Sequence, residues 1–117
     1  MNELIETIFT DFEVDGKEIP VSFMKYQGKL NTYIEYQLES RDTSYSGDNE
    51  IIAYVDYYDF NIYSKGNYFE IVKSVKEKLK ENDFMWQPSR SSGDLYEDDT
   101  GFFHITLSFA YIREGDK

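Results

Sequence analysis

Between Phe103 and Tyr111, large apolar side chains fall on every second residue. Phe103, Ile105, Leu107, Phe109 and Tyr111 alternate with His104, Thr106, Ser108 and Ala110. A period of two sends these sets to opposite faces of a strand, so the segment predicts a long β-strand in a sheet with one covered face. Residues 32–39 repeat the pattern, with Ile34, Tyr36 and Leu38 set against Tyr33, Glu35 and Gln37. Residues 50–63 read as a third, longer strand. Its second half puts Tyr58, Phe60 and Ile62 on one face, with Asp59 and Asn61 on the other. Its first half fits the opposite parity, through Ile51, Ala53 and Val55. A bulge near Asp56, or burial on both faces, would reconcile the two.

Helical spacing appears twice. Over residues 2–12, Ile5, Ile8 and Phe12 form one stripe with Phe9 beside it, and Asn2 is placed to cap. Asn67 and Glu70 have the spacing of a capping box. The helix after them carries Val72, Val75 and Leu79, extended by Tyr68 and Ile71, with Lys73, Lys76, Glu77 and Lys80 toward water and Asn82-Asp83 as its stop. The remaining segments are shorter. Asp15-Gly16 marks a turn. Ile19 to Tyr26 has strand composition, with Pro20 restricting it to an edge or a strand start. Ser40 to Asn49 reads as a polar loop, Phe84 to Gln87 as a short strand, and residues 88–101 as an acidic loop. The order helix, strand, strand, long strand, helix, strand, strand predicts an α+β fold. It is a two-layer sandwich of a mostly antiparallel sheet packed against two helices, in one domain over residues 1–117.

Composition narrows the function. There is no cysteine, which removes disulfides, thiolate metal sites and cysteine nucleophiles. Met1-Asn2-Glu3-Leu4 lacks the basic start and apolar run of a signal peptide, and no stretch reaches the roughly 20 apolar residues of a membrane span. The formal charge is −11, so the chain repels phosphate backbones and specific nucleic-acid binding is not expected. Eleven Tyr, nine Phe and one Trp are more rings than a small core readily holds. Some of that surface is expected in an interface, where tyrosine offers an apolar body and a polar tip.

No catalytic, cofactor-binding or metal site emerges. His104 is the single histidine, on the polar side of its strand and with no evident partner for acid–base work. Asp94, Glu97, Asp98 and Asp99 cluster, but their spacing matches no calcium-loop pattern, and a solvated loop is the expectation. Asp56 and Asp59, three apart on a strand, face opposite sides and read as polar positions on a half-exposed sheet. The seven glycines are scattered and form no nucleotide-binding fingerprint, and no Gly-x-Ser-x-Gly surrounds Ser91 or Ser92. The lysines of 73–80 alternate with glutamate as on a solvated helix face. Trp86 reads first as a core anchor and second as an interface hot spot. An enzyme is not expected.

Residues 54–114 resemble the tail terminator and head–tail joining proteins of siphophages. The resemblance is carried by a strand ending in Phe60-Asn61-Ile62-Tyr63-Ser64-Lys65-Gly66-Asn67, a helix with Ile71, Val75 and Leu79, then Asp94-Leu95-Tyr96-Glu97-Asp98-Asp99-Thr100-Gly101, and then Phe102 to Phe109. Tyr33-Ile34-Glu35-Tyr36 looks like the family's earlier strand. The resemblance implies a phage or prophage structural protein in the virion, at the head-proximal end of the tail, assembled in the host cytoplasm. It implies a ring, typically a hexamer, that stops polymerisation of the tail tube protein and meets the head connector or stopper protein. DNA would pass through the centre, with no cofactor and no membrane involved. The expected contact residues are Tyr45 and Asp48 in one loop, Asp94, Tyr96, Asp98 and Asp99 in another, and Trp86. The rival readings are a head-completion or stopper protein, an acidic DNA mimic that blocks a nucleic-acid-binding protein, and a small metal-dependent hydrolase.

Overall fold

The computed structural model describes residues 2–45 and 51–114. Helix α1 (Asn2–Ile8) leads into a small hairpin of β1 (Glu13–Val14) and β2 (Lys17–Glu18). Strands β3 (Val21–Phe23), β4 (Thr32–Tyr45) and β5 (Ile51–Ser64) follow, then helix α2 (Phe69–Glu81), β6 (Met85–Trp86), a 3₁₀ turn (Pro88–Arg90), β7 (Leu95–Glu97) and β8 (Phe102–Glu114). Strand order is β3-β4-β5-β8-β6, with β7 also paired to β8. Every pair is antiparallel except β3 with β4.

The alternation read from sequence sets the layers. Ile34, Tyr36, Tyr58, Phe60, Ile62, Leu107 and Phe109 share one sheet face, and each is at most 3 % exposed. Against this face pack Ile5, Ile8, Phe9 and Phe12 from the N-terminal segment, and Ile71, Val75 and Leu79 from α2. Phe60 lies at the centre, with Phe9, Tyr36, Phe84 and Phe109 within 6.5 Å between ring centres. The protein is thus an α+β two-layer structure, its mostly antiparallel sheet covered on one face by two helices.

Local chemistry fixes the joints. Asp15 and Gly16 both take positive φ (54° and 79°), the backbone that a two-residue hairpin turn requires. Helix α2 closes as a Schellman motif: the Phe84 N–H reaches the Leu79 carbonyl, and the Asp83 N–H reaches the Lys80 carbonyl. Asp83 takes the left-handed position at φ 69° that glycine usually fills. β3 starts directly after Pro20, whose carbonyl accepts from the Ile34 N–H.

Several expectations need correcting. Helix α1 stops at Ile8, and Phe9 to Phe12 continue as turns that still bury both phenylalanines. The capping box does not form: α2 begins at Phe69, and the Asn67 side chain accepts from the Phe69 N–H two residues on. The bulge expected in β5 near Asp56 lies across the ladder, where Glu39 is the extra residue of β4. β5 keeps one parity from Asp56 to Ser64, with every even residue buried. Residues 40–45 are strand, not loop, because β4 continues along β5. The loop expected at 88–101 contains the 3₁₀ turn and β7, which pairs with β8 as a hairpin.

Candidate assembly surfaces

Two surfaces stand out, at opposite ends of β5. The first lies where β5 passes into α2. Tyr68 is buried, and its hydroxyl donates to the Asp94 carboxylate. Burial, and then the hydrogen bond and charge of Asp94, hold the Tyr68 pKa well above that of an ordinary phenol. Phe69 stacks against Tyr68 at 6.3 Å and is 70 % exposed. Phe103 lies 6.4 Å from Tyr68 and 4.9 Å from Tyr96. Tyr68, Phe69, Asp94 and Phe103, with Gly66 and Asn67, frame a hollow of about 430 Å³. Leu95 and Tyr96 are both more than half exposed beside it. Contiguous exposed aromatic surface of this kind marks contact sites.

The second surface is an arm. The outer edge of β4 is covered by β3 only from Ile34 to Tyr36. The outer edge of β8 is covered over a longer stretch. β7 pairs with Phe102 to His104; Ser92 exchanges hydrogen bonds with the Thr106 backbone; the Ser91 hydroxyl accepts from the Ser108 N–H, while the Gln87 N–H reaches the Ser108 carbonyl; and β6 pairs with Phe109 and Ala110. The covering of β4 ends at Tyr36, opposite Phe60, and that of β8 runs on to Ala110, opposite Tyr57. Beyond Tyr57, β4, β5 and β8 project as a three-stranded ribbon with no further strand paired to either edge among the described residues. The ribbon contributes to a long axis of 52 Å against 28 and 24 Å.

Asp56 lies fully buried at the base of this arm. Arg41 Nε donates to Oδ1 at 2.6 Å, and Arg113 Nε to Oδ2 at 2.9 Å. Burial alone would raise the Asp56 pKa, but the two guanidinium groups outweigh it and hold the carboxyl below its usual value. Both arginines also lie over the Tyr54 ring, at 5.6 and 4.3 Å. Asp56 is therefore a structural ion-pair centre, not the half-exposed position that its neighbours in sequence suggest. Asp59 faces the other side, where burial, with repulsion from Glu39, raises its pKa.

The uncovered face of the sheet carries a row of rings. Tyr26, Tyr33, Tyr63 and His104 stack in sequence, with centres 4.6, 4.9 and 4.4 Å apart. Burial lowers the His104 pKa, and Glu97 and Glu35 restore part of it, so the imidazole is neutral near pH 7. Farther along β5, the Arg90 guanidinium lies 3.9 Å from the Tyr57 ring centre and donates to Glu39 at 2.7 Å.

Of the contact residues expected from sequence, Asp94 lines the aromatic hollow and Tyr96 packs beside it on Phe103. Asp98 and Asp99 are exposed at the turn between β7 and β8. Tyr45 ends β4, paired in backbone register with Ile51, and Asp48 lies outside the described residues. Trp86 is neither a core anchor nor part of the hollow. It is 44 % exposed on the β6 edge, with the Lys76 ammonium 3.6 Å from its ring centre and its Nε1 donating to Ser91. Phe69 and Phe103 were not singled out: strand alternation accounted for Phe103, and Phe69 fell outside the apolar stripe of the helix. Among the described residues, no three His, Asp or Glu side chains converge to hold a metal ion. The Asp94 carboxylate is engaged by Tyr68, and Glu97 accepts from Thr100. No protein-family model matches the chain, and no curated protein matches it.

Proposed function

We propose that this chain is an assembly subunit of the siphophage tail-terminator kind, which caps the tail tube, stops its growth and joins tail to head as a ring. The observation that carries this reading is the aromatic hollow at Tyr68, Phe69, Tyr96 and Phe103. It leaves large rings 38–70 % exposed at three positions on a protein of net charge −11. Exposed aromatics are a strong compositional mark of a contact surface, and Asp94 beside them supplies a fixed polar group at the rim. In a ring, the tube protein or the head connector would cover this end of the sheet. The excess of negative charge suits a channel for DNA, since like charges repel.

The test is to inactivate the gene in the genome that carries it and to image the lysate by electron microscopy. Tails of uncontrolled length, detached from heads, are the expected result. Normal tails on intact virions would remove the tail reading.

A further inference from the structure

We infer that the aromatic hollow is the seat of an arginine side chain from a partner protein, held by the Asp94 carboxylate and by the rings of Phe69 and Phe103. This names the partner's chemistry at the surface that carries the assembly reading, and rests on that reading for the partner's being a protein.

The molecule supplies its own template. The chain has three arginines, and each sits on a carboxylate and over a tyrosine ring. Arg41 and Arg113 share Asp56 and lie 5.6 and 4.3 Å from the Tyr54 ring centre. Arg90 takes Glu39 and lies 3.9 Å from the ring centre of Tyr57. A guanidinium suits such a place because it is flat and always charged, and it can stack on a ring while its edge donates to a carboxylate. The hollow repeats the carboxylate and the rings without the cation. Asp94 lines it together with Tyr68, Phe69 and Phe103. Among the described residues, no lysine or arginine lies over any of these rings, and none pairs with Asp94. Lys65, the closest cation along the chain, lies over Phe102 instead, 5.0 Å from its centre.

The geometry leaves that place open. The Tyr68 hydroxyl donates to Oδ1 of Asp94 and fixes the carboxylate, while Oδ2 accepts from no described residue. Phe69 and Phe103 lie 14° and 25° from the plane of Tyr68, with centres 6.3 and 6.4 Å from it. In the column of Tyr26, Tyr33, Tyr63 and His104 the rings are 4.4 to 4.9 Å apart and cover one another. The wider spacing in the hollow leaves part of each ring face free. About 430 Å³ is room enough for one long side chain.

Charge fixes the sign of the occupant. The chain carries −11, and Glu70, Glu97, Asp98 and Asp99 are exposed on the elements around the hollow. An anion would be repelled and a cation drawn in. The occupant comes from a different protein, because a second copy would have to pull one of its own arginines off its carboxylate.

The probe is acetyl-arginine amide, titrated onto the whole chain and read by the NMR signals of the aromatic rings. The signals of Tyr68, Phe69 and Phe103 should shift together, with a Kd on the order of 10 mM for one cation–π contact and one charged hydrogen bond. Capped citrulline, equal in length but uncharged, should leave them unmoved. Capped lysine should bind at least about threefold more weakly, because its compact ammonium cannot stack and fork at once. Asp94→Asn keeps an acceptor for the Tyr68 hydroxyl, and should weaken capped arginine about tenfold. Should that variant fail to melt cooperatively, Phe69→Leu, at a position 70 % exposed, removes a ring and should also weaken binding. Ring signals unmoved up to roughly 100 mM would overturn the proposal. So would citrulline or lysine binding as well as arginine, variants that bind as the wild type does, or shifts confined to Asp98 and Asp99. Arginine binding in a protein whose loss leaves tails normal would keep the site and discard only the tail reading. Detached tails with no arginine binding would do the reverse.

Discussion

Arg41 and Arg113 reach one buried carboxylate from the two strands that flank it, Arg41 forking across both oxygens of Asp56 and Arg113 donating to Oδ2. The contact joins β4, β5 and β8 where the helices no longer cover the sheet. It holds the base of the arm by charge and hydrogen bonding in place of an apolar core.

Removing that carboxylate should loosen the arm. Asp56→Ala leaves two guanidinium groups facing each other without a counter-ion. The expected loss is about 2–3 kcal/mol, below that for a wholly buried pair because both arginines reach water. Chemical denaturation measures it, and a loss under about 0.5 kcal/mol, as at an ordinary surface site, would contradict the role assigned to Asp56.

Acid should act in the same direction. The folded pKa of Asp56 is lowered, so its stabilising contribution is complete above the unfolded value of about 3.9 and is lost as pH falls through the lower folded value. The wild type should therefore lose more stability below about pH 4 than Asp56→Asn does, since only the wild type has this carboxylate to protonate. Parallel pH–stability curves for the two proteins would count against it.

Asp59 should behave oppositely. Its folded pKa is raised, so its charge opposes folding at neutral pH. Asp59→Asn is expected to raise the melting temperature at pH 7, with the gain shrinking as pH falls and the wild-type carboxyl takes up its proton. A lower melting temperature at pH 7 would refute this.

His104 gives a third titration. Its folded pKa is lowered, so folding favours the neutral ring. A stability penalty should begin as pH falls through the unfolded value of about 6.5, and be complete below the folded value. Proton NMR of the single imidazole reads the folded pKa directly, and a midpoint at or above 6.5 would show the stacked row to be more open to water than its geometry implies.

The aromatic hollow separates folding from contact. Phe69 and Tyr96 are 70 % and 55 % exposed, so Phe69→Ser and Tyr96→Ser should each change stability by less than about 0.5 kcal/mol. In the parent genome the same substitutions should detach tails from heads. Full assembly with both rings removed would move the contact surface elsewhere.

The layers were legible because burial follows period. Ile34, Tyr36, Phe60, Ile62, Leu107 and Phe109 announce their face by alternation, and Val75 and Leu79 by helical spacing. The ion-pair centre was not legible. Asp56 lies 15 residues from Arg41 and 57 from Arg113, and only the strand register brings them together. Tyr68 with Asp94 is a similar case, 26 residues apart. The 88–101 segment misled for another reason. Ser91 and Ser92 satisfy the β8 edge with hydroxyls as well as backbone, and side chains that stand in for a strand leave no period to read. Asp94 and Tyr96 could be singled out because a polar, ring-bearing segment between two regular elements is a common place for contacts.

The serine seal has a consequence for solubility. Identical chains at high concentration are the partners most able to misjoin, because an open edge accepts any strand and a slipped register still forms hydrogen bonds. Closing β8 from Phe102 to Ala110 leaves only its last few residues available. Ser91→Ala would free the Ser108 N–H, and the exposed stretch would lengthen toward the apolar middle of the strand, where misaligned pairing with another chain becomes possible. On this view the two hydroxyls act against aggregation, keeping the middle of β8 out of reach of a neighbouring chain.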